Sequence, residues 1–283
     1  MIKFSNVHYD KNDRVVLLGA SFTVQKNKKL LIYYDHEGGA TTISKLICGL
    51  IEPSGGTVRV ENKKPTPKTV GATLLLSNPI FLEGKTALAN LEYVAKVNQI
   101  KTSKESLVKL LSAYSILPND KPKKMNSKQR LFLALARARV RNANIVVADN
   151  IFLNINQKDL PEAKKRFLEL SKDKTVVMFS TNHSIKIKGA STKYLHQGKL
   201  YSFEKPYKIL PILQMMEKNA TVKEGTLKSN KGKIFLETNL GANEIKNATF
   251  AQRKAAKASE KVCFATKNNK IVGIFDYYTS KRL

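Results

Sequence analysis

One stretch constrains this chain more than any other: KLLIYYDHEGGATTISKLICGL, residues 29–50. Its first part is a short apolar run bounded by lysine and by Asp35, suited to a strand buried on both faces. Its last part places Ile43, Leu46, Ile47 and Leu50 at helical spacing, with Gly49 near the C-terminal end. A buried strand, a glycine-containing loop and an amphipathic helix in immediate succession open an α/β unit. The loop has the layout of a phosphate-binding loop, in which glycine backbones approach an anion at the start of a helix. The lysine that such a loop uses is missing.

The remaining segments repeat this alternation. ATLLLS (72–77), NIVVADN (144–150) and TVVMFST (175–181) read as buried strands, and LPEAKKRFLELSKD (160–173) as a helix with a proline near its start. MIKFSNVHYD and ASFTVQ, at the N-terminal side, read as a strand with a kink and its hairpin partner; PSGGTVRVEN reads as a turn and a strand. Strands alternating with helices imply a mainly parallel sheet. Between residues 87 and 140 helices dominate. Thr102 and Glu105 have capping-box spacing ahead of Leu107, Leu110 and Leu111, and NSKQRLFLALARARV is a second helix. This run predicts an inserted helical subdomain. KYLHQGKLYSF predicts a closing hairpin. Beyond residue 205, EKPYKILPILQMMEKN reads as a linker or proline-interrupted helix. TVKEGTL, GKIFLET, KVCFATK and KIVGIFD read as short strands of a small appended β domain.

Composition narrows the function classes. The longest apolar runs fall far short of the ~20 residues that span a bilayer, and the N-terminus lacks the layout of a signal peptide, so a cytoplasmic chain is expected. Two cysteines, Cys48 and Cys263, and four scattered histidines give neither a disulfide framework nor metal-ligand spacing. The net charge is +28. The excess of lysine and arginine runs through the first 200 residues and the remainder alike, which weighs against a dedicated nucleic-acid tail. A lysine-rich surface still favours anionic partners.

Taken in order, KLICGLIEPSGGTVRV, NPIFLEGKTALANLEY, QRLFLALARARV and LHQGKL resemble the ATP-binding domain of ABC transporters over residues 1 to about 205. The resemblance implies an ABC-type P-loop ATPase fold: a mainly parallel sheet, an antiparallel β subdomain and a helical subdomain at about 87–140. Residues 206–283 form the linker and the small C-terminal β-rich extension.

The same resemblance implies a nucleotide site, and its residues are checked one by one. Tyr9 falls where the family stacks an aromatic on adenine. The loop's first glycine falls on Tyr34 and its second on Gly39, preceded by Gly38. The lysine position is Ala40, and the hydroxyl that holds magnesium falls on Thr41, followed by Thr42. Asp35 and Glu37 add carboxylates to a loop built for polyphosphate. Ser77 stands at the glutamine that senses the γ-phosphate. The signature segment reads Met125-Asn126-Ser127-Lys128-Gln129, with side chains where the family has glycines. Asp149 matches the strand-end aspartate that orders magnesium. Asn150 replaces the glutamate that polarises the attacking water, and an amide cannot act as a base at neutral pH. The switch histidine falls on Thr181 by register, with His183 as the alternative.

Three functions are open on this reading. The first is a structural or regulatory subunit, a pseudo-ATPase with weak or absent Mg-ATP binding. It would sit at the inner face of the cell membrane on a permease or on a second ATP-binding subunit, as a homo- or heterodimer. The second is a weakly active transporter ATPase using Thr41 and Asp149 for magnesium, with a lysine such as Lys128 supplied in trans. The third is a basic nucleic-acid- or ribosome-associated member of the superfamily, which the absence of an aromatic-rich basic motif disfavours.

Overall fold

The computed structural model describes residues 1–12, 14–34, 39–196, 198–202, 221–230, 233–238, 241–245, 261–267 and 270–275. The chain divides into two units, Met1–Ser202 and Phe203–Leu283.

The first unit opens with two long antiparallel strands, β1 (Ile2–Lys11) and β2 (Arg14–Val24). Alternating residues of both strands point inward, and the rings of Phe4 and Phe22 stack with centroids 4.5 Å apart. The expected kink is present: Asn6 has φ 49° and the pairing register shifts at Val7 and again around Tyr9. Strand β3 (Lys29–Tyr34) leads to helix α1 (Ala40–Ile47), and β4 (Gly55–Val60) returns to pair with β1, completing a three-stranded sheet β2-β1-β4. Next come β5 (Ala72–Leu76) and the helices α2 (Ala87–Val97), α3 (Lys104–Ala113) and α4 (Ser127–Arg141), with a 3-10 turn at Pro122–Lys124. The cap of α3 is Ser103, whose side chain accepts from the Ser106 N–H at 3.2 Å, and not Thr102 as its spacing from Glu105 suggested. Ser103 takes the role because the chain is already extended there, with ψ 156°, the geometry that aims a side-chain oxygen at the first free N–H groups.

Strand β6 (Ile145–Asp149), helix α5 (Leu160–Leu170), β7 (Thr175–Ser180) and the hairpin β8 (Ala190–His196) and β9 (Lys199–Tyr201) finish the unit. The main sheet has the order β5-β6-β7-β3-β8-β9, parallel throughout except for the last pair. Every residue of β6 and β7 is buried, as covered faces on both sides require. One continuous core joins this sheet, α1 and the antiparallel sheet. The fold is the ABC-type ATPase cassette, with its antiparallel β subdomain and inserted helical subdomain. No described helix is long and apolar enough to cross a membrane.

In the second unit, β10 (Thr221–Asn230), β11 (Lys233–Thr238), β12 (Gly241–Glu244), β13 (Lys261–Lys267) and β14 (Lys270–Phe275) form an antiparallel sheet of order β12-β11-β10-β13-β14. Leu227, Ile234, Leu236 and Phe264 are buried on it. β12 had no counterpart in the sequence reading. The linker segment 204–219 lies outside the described residues.

Candidate nucleotide site

The parallel register brings the C-terminal ends of β3 and β6 close to the start of α1, where strand-end side chains meet helix-start side chains. Gly39 precedes α1 with φ 86°, in the left-handed region. A Cβ there would come within 2.9 Å of both Leu17 Cδ2 and the Val16 carbonyl oxygen, so the loop end is pressed against β2. Ala40, the first helical residue, is buried. Ala40, the residue expected at the lysine position of a phosphate-binding loop, thus presents a methyl group under cover. Gly38, Asp35, His36 and Glu37 lie outside the described residues.

Thr41 and Asp149, the two residues expected at a magnesium position, lie side by side. Thr41 Oγ1 donates to Asp149 Oδ2 at 2.6 Å. A hydroxyl and a carboxylate this close form a donor set that suits a hydrated magnesium ion. The other carboxylate oxygen of Asp149 faces the Tyr34 hydroxyl at 3.5 Å, the outer limit of a hydrogen bond. Asp149 itself is buried, and burial raises its carboxyl above the usual carboxylate range. The hydrogen bonds from Thr41 and Tyr34 and the charge of Lys45 pull in the opposite direction and do not cancel the effect. Burial and then the charge of Asp149 push the Tyr34 phenol well above its ordinary value. The sequence marks Tyr34 only as the occupant of the first-glycine position; its contact with Asp149 carries no local sequence signal.

Asn150 adopts φ 51° and is buried directly after β6. Its side-chain amide donates to Thr181 Oγ1 at 3.1 Å, and its side-chain carbonyl accepts from the Thr181 N–H at 3.3 Å. The residue that meets Asn150 is therefore Thr181, the register candidate for the switch position. His183 goes elsewhere, stacking on the Tyr33 ring at 4.8 Å centroid distance beside Tyr194.

The signature-like segment is occupied with capping its own helix. Asn126 Oδ1 accepts from the Gln129 N–H at 2.9 Å, and Gln129 Oε1 accepts from the Asn126 N–H at 3.1 Å. Ser127 begins α4. Lys128 makes ion pairs with Asp159 at 3.2 Å and Glu162 at 2.6 Å, which raise its basicity. Its ammonium is engaged within its own chain, at the start of α5, by partners that no local sequence pattern indicates. Tyr9 is half-buried and packs against the core cluster. Thr42 and Ser77 are also half-buried, and Ser77 follows β5 directly.

The loop behind β5 is fixed to α4. Arg130 grips Glu83 with both terminal nitrogens, at 3.2 and 2.7 Å, and donates to the carbonyls of Pro122 and Pro79. Among the described residues there is no cluster of His, Cys, Asp and Glu that could hold a metal ion.

A parallel sheet with a loop-to-helix turn at its carboxyl end, an antiparallel layer and a helical insertion define the class of ATP-binding cassettes. No protein-family model matches the chain. Its relatives are ATP-binding domains of ABC transporters, at low identity. One is the mitochondrial iron-sulfur clusters transporter ABCB7 of Danio rerio, 24% identical over 213 residues, covering 70% of this chain and 29% of that protein. The chain thus spans less than a third of that relative's length. Another is the cytochrome c biogenesis ATP-binding export protein CcmA of Wolbachia pipientis wMel, 22% identical over 192 residues, covering 65% of this chain and 90% of the relative. Among solved structures, the dimeric bacterial ABC transporter cassette MJ0796 superimposes with a TM-score of 0.60 at 20% identity, over 71% of this chain and 96% of that one.

Proposed function

We propose that the chain is an ABC transporter ATP-binding subunit whose catalytic role has been lost, serving as a structural or regulatory subunit. It docks through its helical subdomain on a membrane permease, or pairs with an active ATP-binding subunit, at the inner face of the membrane. The second unit then takes the place of a regulatory domain.

The observation that carries this reading is the start of α1, where a buried Ala40 methyl stands in place of an ammonium group. The loop lysine is the main charged contact to a β/γ-phosphate, and the two carboxylates of the loop sequence, Asp35 and Glu37, disfavour one. Asn150 and Thr181 satisfy each other and offer no base for an attacking water.

Thr41 and Asp149 favour a second reading, since they keep a donor pair for magnesium; this is the slow ATPase. Thermal unfolding with and without millimolar Mg-ATP separates the two. Ligand at ~100 times its dissociation constant stabilises the native state by about 2.7 kcal/mol. The proposal expects no shift. A clear upward shift that Tyr9→Ala and Thr41→Ala both abolish moves the chain to the nucleotide-sensing or slowly hydrolysing class.

A further inference from the structure

The N-terminal ends of the main-sheet strands form an edge opposite the candidate nucleotide site. In a parallel sheet these strand starts lie side by side, about 4.8 Å from one strand to the next, here in the order β6-β7-β3-β8. The segments leading into them are joined directly. The Thr175 N–H donates to the Asn144 carbonyl and the Val176 N–H to the Lys28 carbonyl, each at 3.0 Å, and the Asn27 N–H donates to Thr175 Oγ1 at 2.9 Å. Lys29 pairs with Ala190 at the start of β8, where the Ala190 N–H closes a turn onto the Ile187 carbonyl.

Folding gathers positive charge on this edge. Residues 25–29, 139–144, 171–174 and 187–190 together hold eight lysines and arginines against one carboxylate, Asp173, where the whole chain has 50 against 22. Lys26, Lys28, Arg139, Lys172 and Lys188 are exposed. Among the described residues, none of the eight makes an ion pair. Glu169, in the last turn of α5, meets Arg166 at 3.9 Å instead. Lys174 donates to neutral oxygens, Asn142 Oδ1 at 3.0 Å and the Ala143 carbonyl at 2.7 Å. Burial and then the charge of Arg139 hold its ammonium below the ordinary range, as expected of cations gathered without an anion between them. A polyanion laid along such a row relieves the repulsion. No aromatic ring and none of the exposed large apolar side chains lies in these four segments. The edge therefore has nothing to stack on bases and nothing to enter a bilayer, and offers contacts to phosphate alone.

We propose that this edge binds the phosphate backbone of a double-stranded nucleic acid without reading its sequence. Lys26, Lys28, Arg139, Lys172 and Lys188 meet the phosphates. The row spans about 14 Å across four strands, the length of roughly four phosphates along one nucleic-acid strand at about 3.4 Å each. A duplex holds its phosphates in a fixed array, which a row of cations fixed on a sheet edge can match, and counterion release drives the contact. The edge lies away from the candidate nucleotide site and from the helical subdomain's start, so the inference stands apart from the docked-subunit reading.

The test titrates the full chain into short fluorescent duplexes of RNA and of DNA, of random sequence, and reads anisotropy. Binding is expected with a dissociation constant of about 1–100 µM at physiological salt, weakening about tenfold or more between about 50 and about 200 mM salt. The triple reversal Lys26→Glu, Lys28→Glu and Lys172→Glu should weaken it about tenfold or more with the melting temperature unchanged. Lys26→Glu with Lys172→Glu serves instead if the triple variant melts lower. Lys121→Glu, Lys123→Glu and Lys124→Glu make the same change in net charge at exposed positions before the opposite end of α4. They should weaken binding no more than about twofold, because exposed charges beyond a Debye length are screened. Equal losses from both sets trace the binding to the overall charge of +28 and overturn the proposal. So do indifference to salt, tighter binding to single strands or to vesicles of anionic phospholipid, and no binding to either duplex. Binding to one duplex only, lost on the triple reversal, upholds the proposal and tells RNA from DNA.

Discussion

Asn150 and Thr181 hold each other by three hydrogen bonds, side-chain amide to hydroxyl at 3.1 Å, backbone N–H to side-chain carbonyl at 3.3 Å and hydroxyl to side-chain carbonyl at 3.4 Å, across the ends of neighbouring parallel strands. By the family resemblance of the sequence, these two positions are the ones expected for the base and the switch. The pair satisfies itself and fastens the end of β6 to the loop after β7.

Asn150→Ala therefore removes a buried partner from both Thr181 groups. A loss of about 1–2 kcal/mol is expected, read by urea unfolding. Asn150→Glu, which restores the shape of the family's base, is expected to leave hydrolysis undetectable in a phosphate-release assay, because Ala40 still supplies no cation.

Asp149 gives the chain a defined pH response. Burial raises its folded-state pKa above the unfolded value of about 3.9. The folded state therefore holds the proton more tightly. The stability this contributes is complete below the unfolded value and is lost as pH rises through the folded one. Asp149→Asn should consequently melt at a higher temperature than the wild type at pH 7, and the difference should shrink towards pH 4. A gap that widens on acidification would contradict this sign.

Gly39 joins the loop to α1 at φ 86°, with Leu17 and the Val16 carbonyl against the place of a side chain. Gly39→Ala combines an unfavourable backbone region with contacts that a Cβ cannot make without displacement. A destabilisation of about 1–3 kcal/mol is expected in chemical denaturation, with the far-ultraviolet spectrum unchanged.

Arg130 ties the Pro79–Glu83 loop to α4 through one carboxylate and two carbonyls. Arg130→Ala should cost about 2 kcal/mol, since it strips a charged donor from several acceptors at once. Glu83→Gln should cost no more than about 1 kcal/mol, because Glu83 is exposed and its pair is screened by solvent. Arg130 holds the Glu83 carboxyl below its usual range, so this smaller contribution is present above about pH 4.3 and fades as pH falls through the lowered value.

Local pattern carried the architecture. Residues 30–34, 145–148 and 176–179 are apolar without interruption, and a run of that kind suits a strand between two covering layers, so a parallel sheet with helices is legible in the sequence alone. That residue 40 is an alanine and not a lysine is likewise a fact of the sequence, since identity at a position needs no fold to be known. The α3 cap was misread by one residue because Thr102 and Ser103 offer the same hydroxyl, and only the backbone angle at the helix start chooses between them.

What the sequence by itself could not decide was which side chains satisfy which. Thr41 reaches an acceptor 108 positions away, Asn150 one 31 away, and Lys128 one 31 away. Arg130 finds Glu83, while Arg137 meets the Ile80 carbonyl and the Phe81 ring. Period and propensity are properties of consecutive residues, whereas these pairings follow from strand register and helix packing. Only the tertiary structure settles whether a charge is neutralised within the chain or faces outward, because that depends on which groups burial brings within about 3 Å of one another.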